Sequence, residues 1–301
     1  MSTDIQISPK AWGLLFLLAL IWGGIFFATR VALDEVSVTT AVAYRVFGGA
    51  LVLWGAALIG GHKIPTGFRI WGAFLGMGLL NNLIPFYLMA WAQLTIESGL
   101  TSIFNAATAL FGVLITPIFL KDEPVSLRKL MGVAIGAFGV ATAIGLSNLQ
   151  NINPRSVAQG AVLLGTISYV FAGIWGKLHL QNLPPIVAAA GMLSASSVVS
   201  LPIAYMNGGL PVDLLWSTWA AIAYYAIIGT GLAYLLYYQV LKLAGSANLM
   251  LVTLLISPIA IVLGVVGLGE QLTLNTYIGF GVLALGLLVI DGRLFKRASR
   301  K

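Results

Sequence analysis

Residues 18–30 read LALIWGGIFFATR, an apolar run with a tryptophan and two glycines near its middle and an arginine at its end. Membrane proteins usually carry tryptophan at the two lipid–water interfaces, where the polar edge of the ring reaches water. Trp22 instead falls about halfway along the apolar run that contains it. Lipid is therefore not the expected neighbour of this ring.

The composition is that of a membrane protein. Of the 301 residues, 59% are hydrophobic and 8% are charged, and the mean hydropathy is +0.98. A soluble domain carries roughly a quarter charged residues. The chain contains no cysteine, which excludes disulfides and thiolate chemistry.

The apolar runs between charged and turn residues predict ten membrane-crossing helices, each of which needs roughly 20 apolar residues. The first five lie near 12–32, 38–60, 70–91, 98–120 and 128–147, and the second five near 157–177, 184–206, 215–240, 246–268 and 272–292. The predicted fold class is all-α integral membrane.

The lysines and arginines predict the orientation. With the N-terminus in the cytoplasm, 13 of the 16 basic residues fall on the cytoplasmic side, as the positive-inside rule requires. Both termini are then cytoplasmic. The basic tail RLFKRASRK, residues 293–301, is expected to contact anionic lipid head groups and not nucleic acid.

The two halves of the chain match each other at a shift of 147 residues. Glu123 falls on Glu270, and this match carries weight because the chain has only nine acidic residues. The shift predicts two repeats, 1–150 and 151–301. It spans five helices, an odd number, so the second repeat is expected to lie inverted in the membrane. Inverted repeats are typical of secondary transporters; the alternative is a duplicated membrane protein without a transport role.

No motif for catalysis or energy coupling is found. The stretch GIWGKL at 173–178 lacks the spacing and hydroxyl of a phosphate-binding loop. His62 and His179 lie at predicted span ends without a carboxylate cluster. We therefore expect no catalytic residue, metal site or cofactor. No carboxylate is predicted at mid-depth, which favours facilitated movement or exchange over tight proton coupling.

Two arginines lie near the ends of the first two spans. Arg30 ends the first span, and Arg45 lies about two turns into the second. We expect Arg45 to pair with Asp34 or Glu35, or to cap backbone carbonyls, rather than to contact a substrate. A phosphorylated sugar is then a poor candidate for the cargo, because no basic residue is expected at the midplane.

Aromatic residues mark the expected centre of the protein. Trp22 aligns with Tyr169 under the shift, and both lie halfway along their spans. Matched rings at this depth flank the axis where inverted-repeat transporters bind cargo. Such rings stack on flat groups and attract organic cations, so we expect them to face a substrate; ordinary helix packing is the alternative. Tyr234, Tyr237 and Tyr238 belong either here or to an aromatic belt.

Polar residues at similar depth complete the expected binding site. Asn82, Asn105, Thr108 and Ser257 would supply hydrogen bonds to a zwitterion. An amide that faces hydrocarbon is costly, so Asn82 and its neighbour Asn81 should face other helices or water. Hydrogen bonding between helices is the alternative role of Asn82.

Several short motifs recur in the order seen in one transporter family. They are WGG at 22–24, Arg45, Glu123, Glu270, and the glycine runs GVAIGAFG (132–139) and GFGVLALG (279–286). On these motifs the whole chain resembles the drug/metabolite transporter superfamily, in particular its EamA-type members with ten helices in two inverted repeats. Within that family it is most similar to the aromatic amino-acid exporters of the YddG type.

The resemblance implies an exporter of the bacterial-type cytoplasmic (inner) membrane. The expected cargo is amino acids, aromatic ones favoured, with related small metabolites and flat organic cations. The alternatives are a passive channel for small neutral solutes, an importer of the same fold and a membrane enzyme. Oligomeric state is not predicted.

The family often has a proline where the second helix begins, as at Pro184 in the second half, but the first half has Ser37 there. The mid-helix proline of the second half, Pro258, is Phe111 in the first half, so the first half is expected to kink elsewhere.

Overall fold

The computed structural model describes residues 8–120, 126–145, 153–249 and 251–292, and leaves the side chains at 246–248 and 251 undescribed. Glu123 and the basic tail at 293–301 lie outside these ranges.

All regular structure in the described ranges is helical and forms ten rods. They are α1 (Pro9–Ala32), α2 (Val38–Ile59), α3 (Phe68–Ala92), α4 (Ser98–Phe119), α5 (Leu127–Ile144), α6 (Pro154–His179), α7 (Pro185–Met206), α8 (Trp216–Gly245), α9 (Leu251–Leu268) and α10 (Leu274–Asp291). Among the described residues, nine helices are long and apolar enough to cross a membrane, and the tenth is the shorter apolar stretch Val252–Leu268. The prediction of ten spans is confirmed.

The helices begin where the sequence supplies caps. The Ser8 hydroxyl accepts the backbone N–H of Ala11 at 3.2 Å, and Pro9 takes the first turn of α1, where no N–H is needed. Helix α1 has 24 residues, which at about 1.5 Å each gives about 36 Å, enough to cross the hydrocarbon core. Short connections return the chain alternately to the face where α1 begins, here called the amino-terminal face, and to the face where it ends, the distal face.

Two helices contain π-helical segments. They are Leu79–Leu83 in α3 and Tyr224–Leu232 in α8. Adding 147 to the first segment gives 226–230, inside the second. A π turn carries an extra residue, so it changes which side chains face inward, and such segments are frequent at functional sites.

Helix α4 is broken at mid-depth. Residues Ala106 and Ala107 form a turn between two helical pieces, and the Thr108 hydroxyl donates to the carbonyl of Asn105 at 2.7 Å. In α9 a proline, Pro258, lies inside the helix. The first half therefore bends at a different position from its counterpart, as expected from Phe111.

Helices α5 and α10 pack with their backbones in contact. A Cβ atom on Gly132 would lie 2.7 Å from the carbonyl oxygen of Gly286, and one on Gly139 would lie 2.7 Å from that of Gly279. No side chain fits at that distance, so the glycines permit the close packing. Because 132 faces 286 and 139 faces 279, the two helices run antiparallel.

Central cavity and candidate substrate site

A cavity of about 780 Å³ lies between the two halves of the chain. This volume is within the range of small-molecule binding sites. Its described lining comes from every helix except α5 and α10.

The cavity opens at the amino-terminal face. The lining residues Gln181 and Pro185 are exposed there. At the distal end the lining residues Thr29 and Gln93 are only 7% and 4% exposed. Gln93 also borders a smaller depression on the distal surface, so it separates the cavity from that side.

Glu270 closes the distal face by capping a helix of the other half. Its carboxylate accepts the backbone N–H groups of Ser98 at 2.7 Å and Gly99 at 3.1 Å. These donors begin α4, where the helix dipole also favours a negative charge. The carboxylate therefore joins the connection between α9 and α10 to the first half.

Two further carboxylates cross between the halves on the same face. Glu35 accepts the backbone N–H of Leu215 at 3.1 Å and the hydroxyl of Thr218. Glu97 forms an ion pair with Arg155 at 2.7 Å. All of these contacts hold the distal end shut.

Aromatic side chains form one wall of the cavity. The rings of Trp22 and Tyr237 have their centroids 5.8 Å apart, and those of Tyr234 and Tyr238 are stacked at 6.4 Å. Tyr169 also lines the cavity. The three α8 tyrosines thus border the cavity and do not form an interfacial belt. A flat ring can stack against this aromatic wall.

Four of the six site residues expected from the sequence meet at the cavity: Trp22, Asn105, Thr108 and Tyr169. The polar pair Asn105 and Thr108 flanks the break in α4. This break turns the two side chains toward the cavity, a feature that helical periodicity alone does not indicate.

Asn82 and Ser257 lie elsewhere. Both are fully buried and neither lines the cavity. The amide of Asn82 donates to the Ser196 hydroxyl at 3.1 Å, and the Ser257 hydroxyl donates to the carbonyl of Ser102 at 3.1 Å. These bonds join helices. The amide that faces the cavity is that of Asn81.

Asn81 connects the π segment of α3 to the tyrosines of α8. Its side-chain NH₂ donates to the Tyr234 hydroxyl at 2.9 Å. From the sequence, Asn81 stands out only as the neighbour of Asn82, because both residues lie in one turn of an apolar helix. The π segment decides which of them faces inward.

Arg45 faces the cavity, and the expectation that it pairs with Asp34 or Glu35 is wrong. Asp34 instead binds Arg30 at 2.6 Å, and Glu35 binds α8. The Arg45 Nε donates to the Thr230 hydroxyl at 3.2 Å. A basic residue inside an apolar helix is itself a signal of an inward-facing functional group.

The charge of the cavity is positive. Arg45 and Lys177 are its charged residues, and the described lining contains no aspartate or glutamate. Within the described ranges, no group of three or more histidine, aspartate or glutamate side chains is placed to hold a metal ion.

A helical membrane protein with a central cavity, open at one face and sealed by polar contacts at the other, has the form of a transporter. The sequence model of the EamA-like transporter family matches residues 10–145 and again residues 158–291. The chain belongs to this family.

Two relatives that are named as transporters align with this chain over nearly their full length. An uncharacterized inner membrane transporter of Escherichia coli (strain K12), YedA, is 26% identical over 95% of this chain and 91% of its own. An uncharacterized transporter of Bacillus subtilis (strain 168), YoaV, is 22% identical over 89% of this chain and 92% of its own. A solved crystal structure with 18% identity aligns over 96% of this chain and 99% of its own with a TM-score of 0.67, which shows the shared fold.

Proposed function

We propose that this protein is a secondary transporter of the inner membrane that exports amino acids, aromatic ones favoured, and related small metabolites. The observation that carries the proposal is the cavity itself: it is large enough for such a cargo, bordered by aromatic rings and amides, and open at one end only. The inner-membrane location agrees with the name of the relative from Escherichia coli.

The cargo would cross by alternating access between two inverted repeats, 1–150 and 151–301. Three observations support this arrangement. The family model matches once in each repeat. The π segments of α3 and α8 lie at equivalent positions. Helices α5 and α10, which correspond to each other, run antiparallel. Repeats of this kind can exchange conformations and so move the opening from one face to the other.

The distribution of the basic residues favours an orientation with the amino-terminal face and both termini in the cytoplasm. The cavity described here would then open to the cytoplasm, where an exporter takes up its cargo. The aromatic ring would stack between Trp22 and Tyr169, while Asn105 and Thr108 bind the polar end. Asn82 and Ser257 would hold helices together. A positive cavity repels cations, so flat organic cations are the less favoured cargo.

The test is tryptophan counterflow in proteoliposomes of purified protein. We expect unlabelled tryptophan on one side to stimulate uptake of labelled tryptophan from the other, because a carrier must return its site. The double variant Trp22→Ala/Tyr169→Ala should lose most of this activity while still inserting in the membrane. A matched control is Trp216→Ala, whose ring is 84% exposed at the start of α8.

Unchanged counterflow in the double variant would contradict the assignment of the two rings. Flux without stimulation by unlabelled cargo would instead support a passive channel. Vesicles of known orientation, loaded from either side, would distinguish export from import.

A further inference from the structure

Arg45 lies well inside the membrane-spanning bundle. It is seven residues from the start of α2 at Val38, which places it about 10 Å below the distal end of that helix. The side chain is half-buried because it faces the cavity. The guanidinium carbon lies 3.6 Å from the centroid of the Phe86 ring, which covers one face of the group.

The charge of Arg45 has no carboxylate partner among the described residues. Four carboxylates of its face are bound elsewhere: Asp34 to Arg30, Glu35 to α8, Glu97 to Arg155 and Glu270 to the start of α4. The fifth, Asp213, is exposed in the connection that precedes α8. An unpaired charge away from bulk water is costly. An anion bound in the cavity would offset the cost of the Arg45 charge, so this position favours an anionic ligand.

The hydrogen-bond donors of Arg45 are also mostly unused. A guanidinium has five N–H donors. In the described residues only Nε is bonded, to the Thr230 hydroxyl at 3.2 Å. The two terminal nitrogens remain for a planar anion, which arginine binds through two parallel hydrogen bonds. Tyr169, Tyr225 and Tyr234 line the same cavity as Arg45.

Arg45 and the aromatic wall of the cavity both contact helix α8. The Arg45 guanidinium donates to Thr230, and the ring of Trp22 contacts the ring of Tyr237. Thr230 and Tyr237 are both on α8, seven positions apart. Both residues line the cavity, and seven residues of helix span about 10 Å. This separation is comparable with an aromatic amino acid that lies along the cavity.

We propose that Arg45 is the carboxylate-binding residue of the cavity, and that the cargo is defined by a carboxylate and an aromatic ring rather than by an amino group. The proposal rests on the proposed function and deepens it. Because the described lining has no aspartate or glutamate to receive an ammonium group, the carboxylate is required and the amino group is dispensable.

The test compares three related compounds as competitors of labelled tryptophan counterflow by the wild-type protein. Indole-3-propionate keeps the carboxylate without the amine, tryptamine keeps the amine without the carboxylate, and unlabelled tryptophan keeps both. We expect indole-3-propionate to compete within a few-fold of tryptophan, and tryptamine to compete at least tenfold more weakly. The opposite order would overturn the proposal. This comparison needs no variant and does not depend on how a substitution folds.

Variants of Arg45 provide the second arm. We expect Arg45→Gln to raise the KM for tryptophan about ten- to a hundredfold, the loss expected for one charge-assisted contact, and Arg45→Lys to restore part of it. Arg69→Gln removes a charge from an exposed position at the start of α3 and should leave the KM unchanged. An Arg45→Gln protein that inserts normally and keeps the wild-type KM would overturn the proposal.

The two proposals fail in different ways. A wild-type protein without tryptophan counterflow would refute the proposed cargo. The role of Arg45 is then decided by thermal denaturation in detergent with indole-3-propionate as the probe. Saturable stabilisation of the wild type that Arg45→Gln lacks would support a carboxylate site, and no stabilisation of either protein would overturn it.

Discussion

Neutralising Glu270 should open the distal face. Its carboxylate accepts two backbone N–H groups, from Ser98 at 2.7 Å and from Gly99 at 3.1 Å. A hydrogen bond to a charged group contributes about 1.5–3 kcal/mol. Glutamine keeps one acceptor oxygen, but its NH₂ group cannot accept the second bond, and the favourable charge at the helix start is lost. The closed state should therefore lose about 2 kcal/mol, which corresponds to a roughly 30-fold change in the ratio of closed to open molecules.

The assay is the labelling rate of a single cysteine by a membrane-impermeant maleimide added at the distal face. The chain has no cysteine of its own, so Thr29→Cys, at a lining position that is 7% exposed at the closed end, supplies a unique probe. We expect labelling about 30-fold faster in the Glu270→Gln background, because opening limits access to this site.

A matched control removes another carboxylate from the same face. Asp34, in the turn after α1, binds Arg30 of that helix and no residue of the second half in the described contacts. Asp34→Asn should leave the labelling rate of the Thr29→Cys probe unchanged. If Glu270→Gln labels no faster than its parent, or if Asp34→Asn accelerates labelling equally, the carboxylate cap is not what closes this face.

Two further predictions concern packing and polar contacts. Gly139→Ala should lower the melting temperature of the detergent-solubilised protein by several degrees because its Cβ collides with the backbone of α10. Gly281→Ala, whose Cβ meets open space, should leave the melting temperature unchanged. Equal effects of the two substitutions would contradict the close packing of α5 and α10. Asn82→Ala should lower the same melting temperature because it removes the buried hydrogen bond that the Asn82 amide donates to the Ser196 hydroxyl. Asn81→Ala should instead act mainly on the KM for tryptophan. The reverse pattern would place Asn82 on the cavity.

The ten spans could be predicted because each is an apolar run of membrane length, and charged and turn residues separate these runs. The π segments and the break at Ala106–Ala107 could not. They change the helix at single turns, and no proline or glycine marks Ala106 or Ala107. These local changes decide which residues face the cavity.

The site was predicted only in part for the same reason. Trp22 and Tyr169 could be identified from their depth and from the alignment of the repeats. Depth does not say which side of a helix faces inward when the helix is apolar all round, so Asn82 and Ser257 were assigned to the cavity although both bond to other helices. Arg45 was missed because nearness in sequence to Asp34 and Glu35 suggested an ion pair, whereas these carboxylates are bound elsewhere.

The most direct test of a cavity that opens alternately to the two faces is the reactivity of a cysteine at its centre. Asn105→Cys places the probe beside the break in α4, and the impermeant maleimide is applied separately to right-side-out and inside-out vesicles. The account predicts labelling from both faces, with Glu270→Gln increasing the rate from the distal face and lowering it from the amino-terminal face. Labelling from one face alone, unchanged by Glu270→Gln, would contradict it.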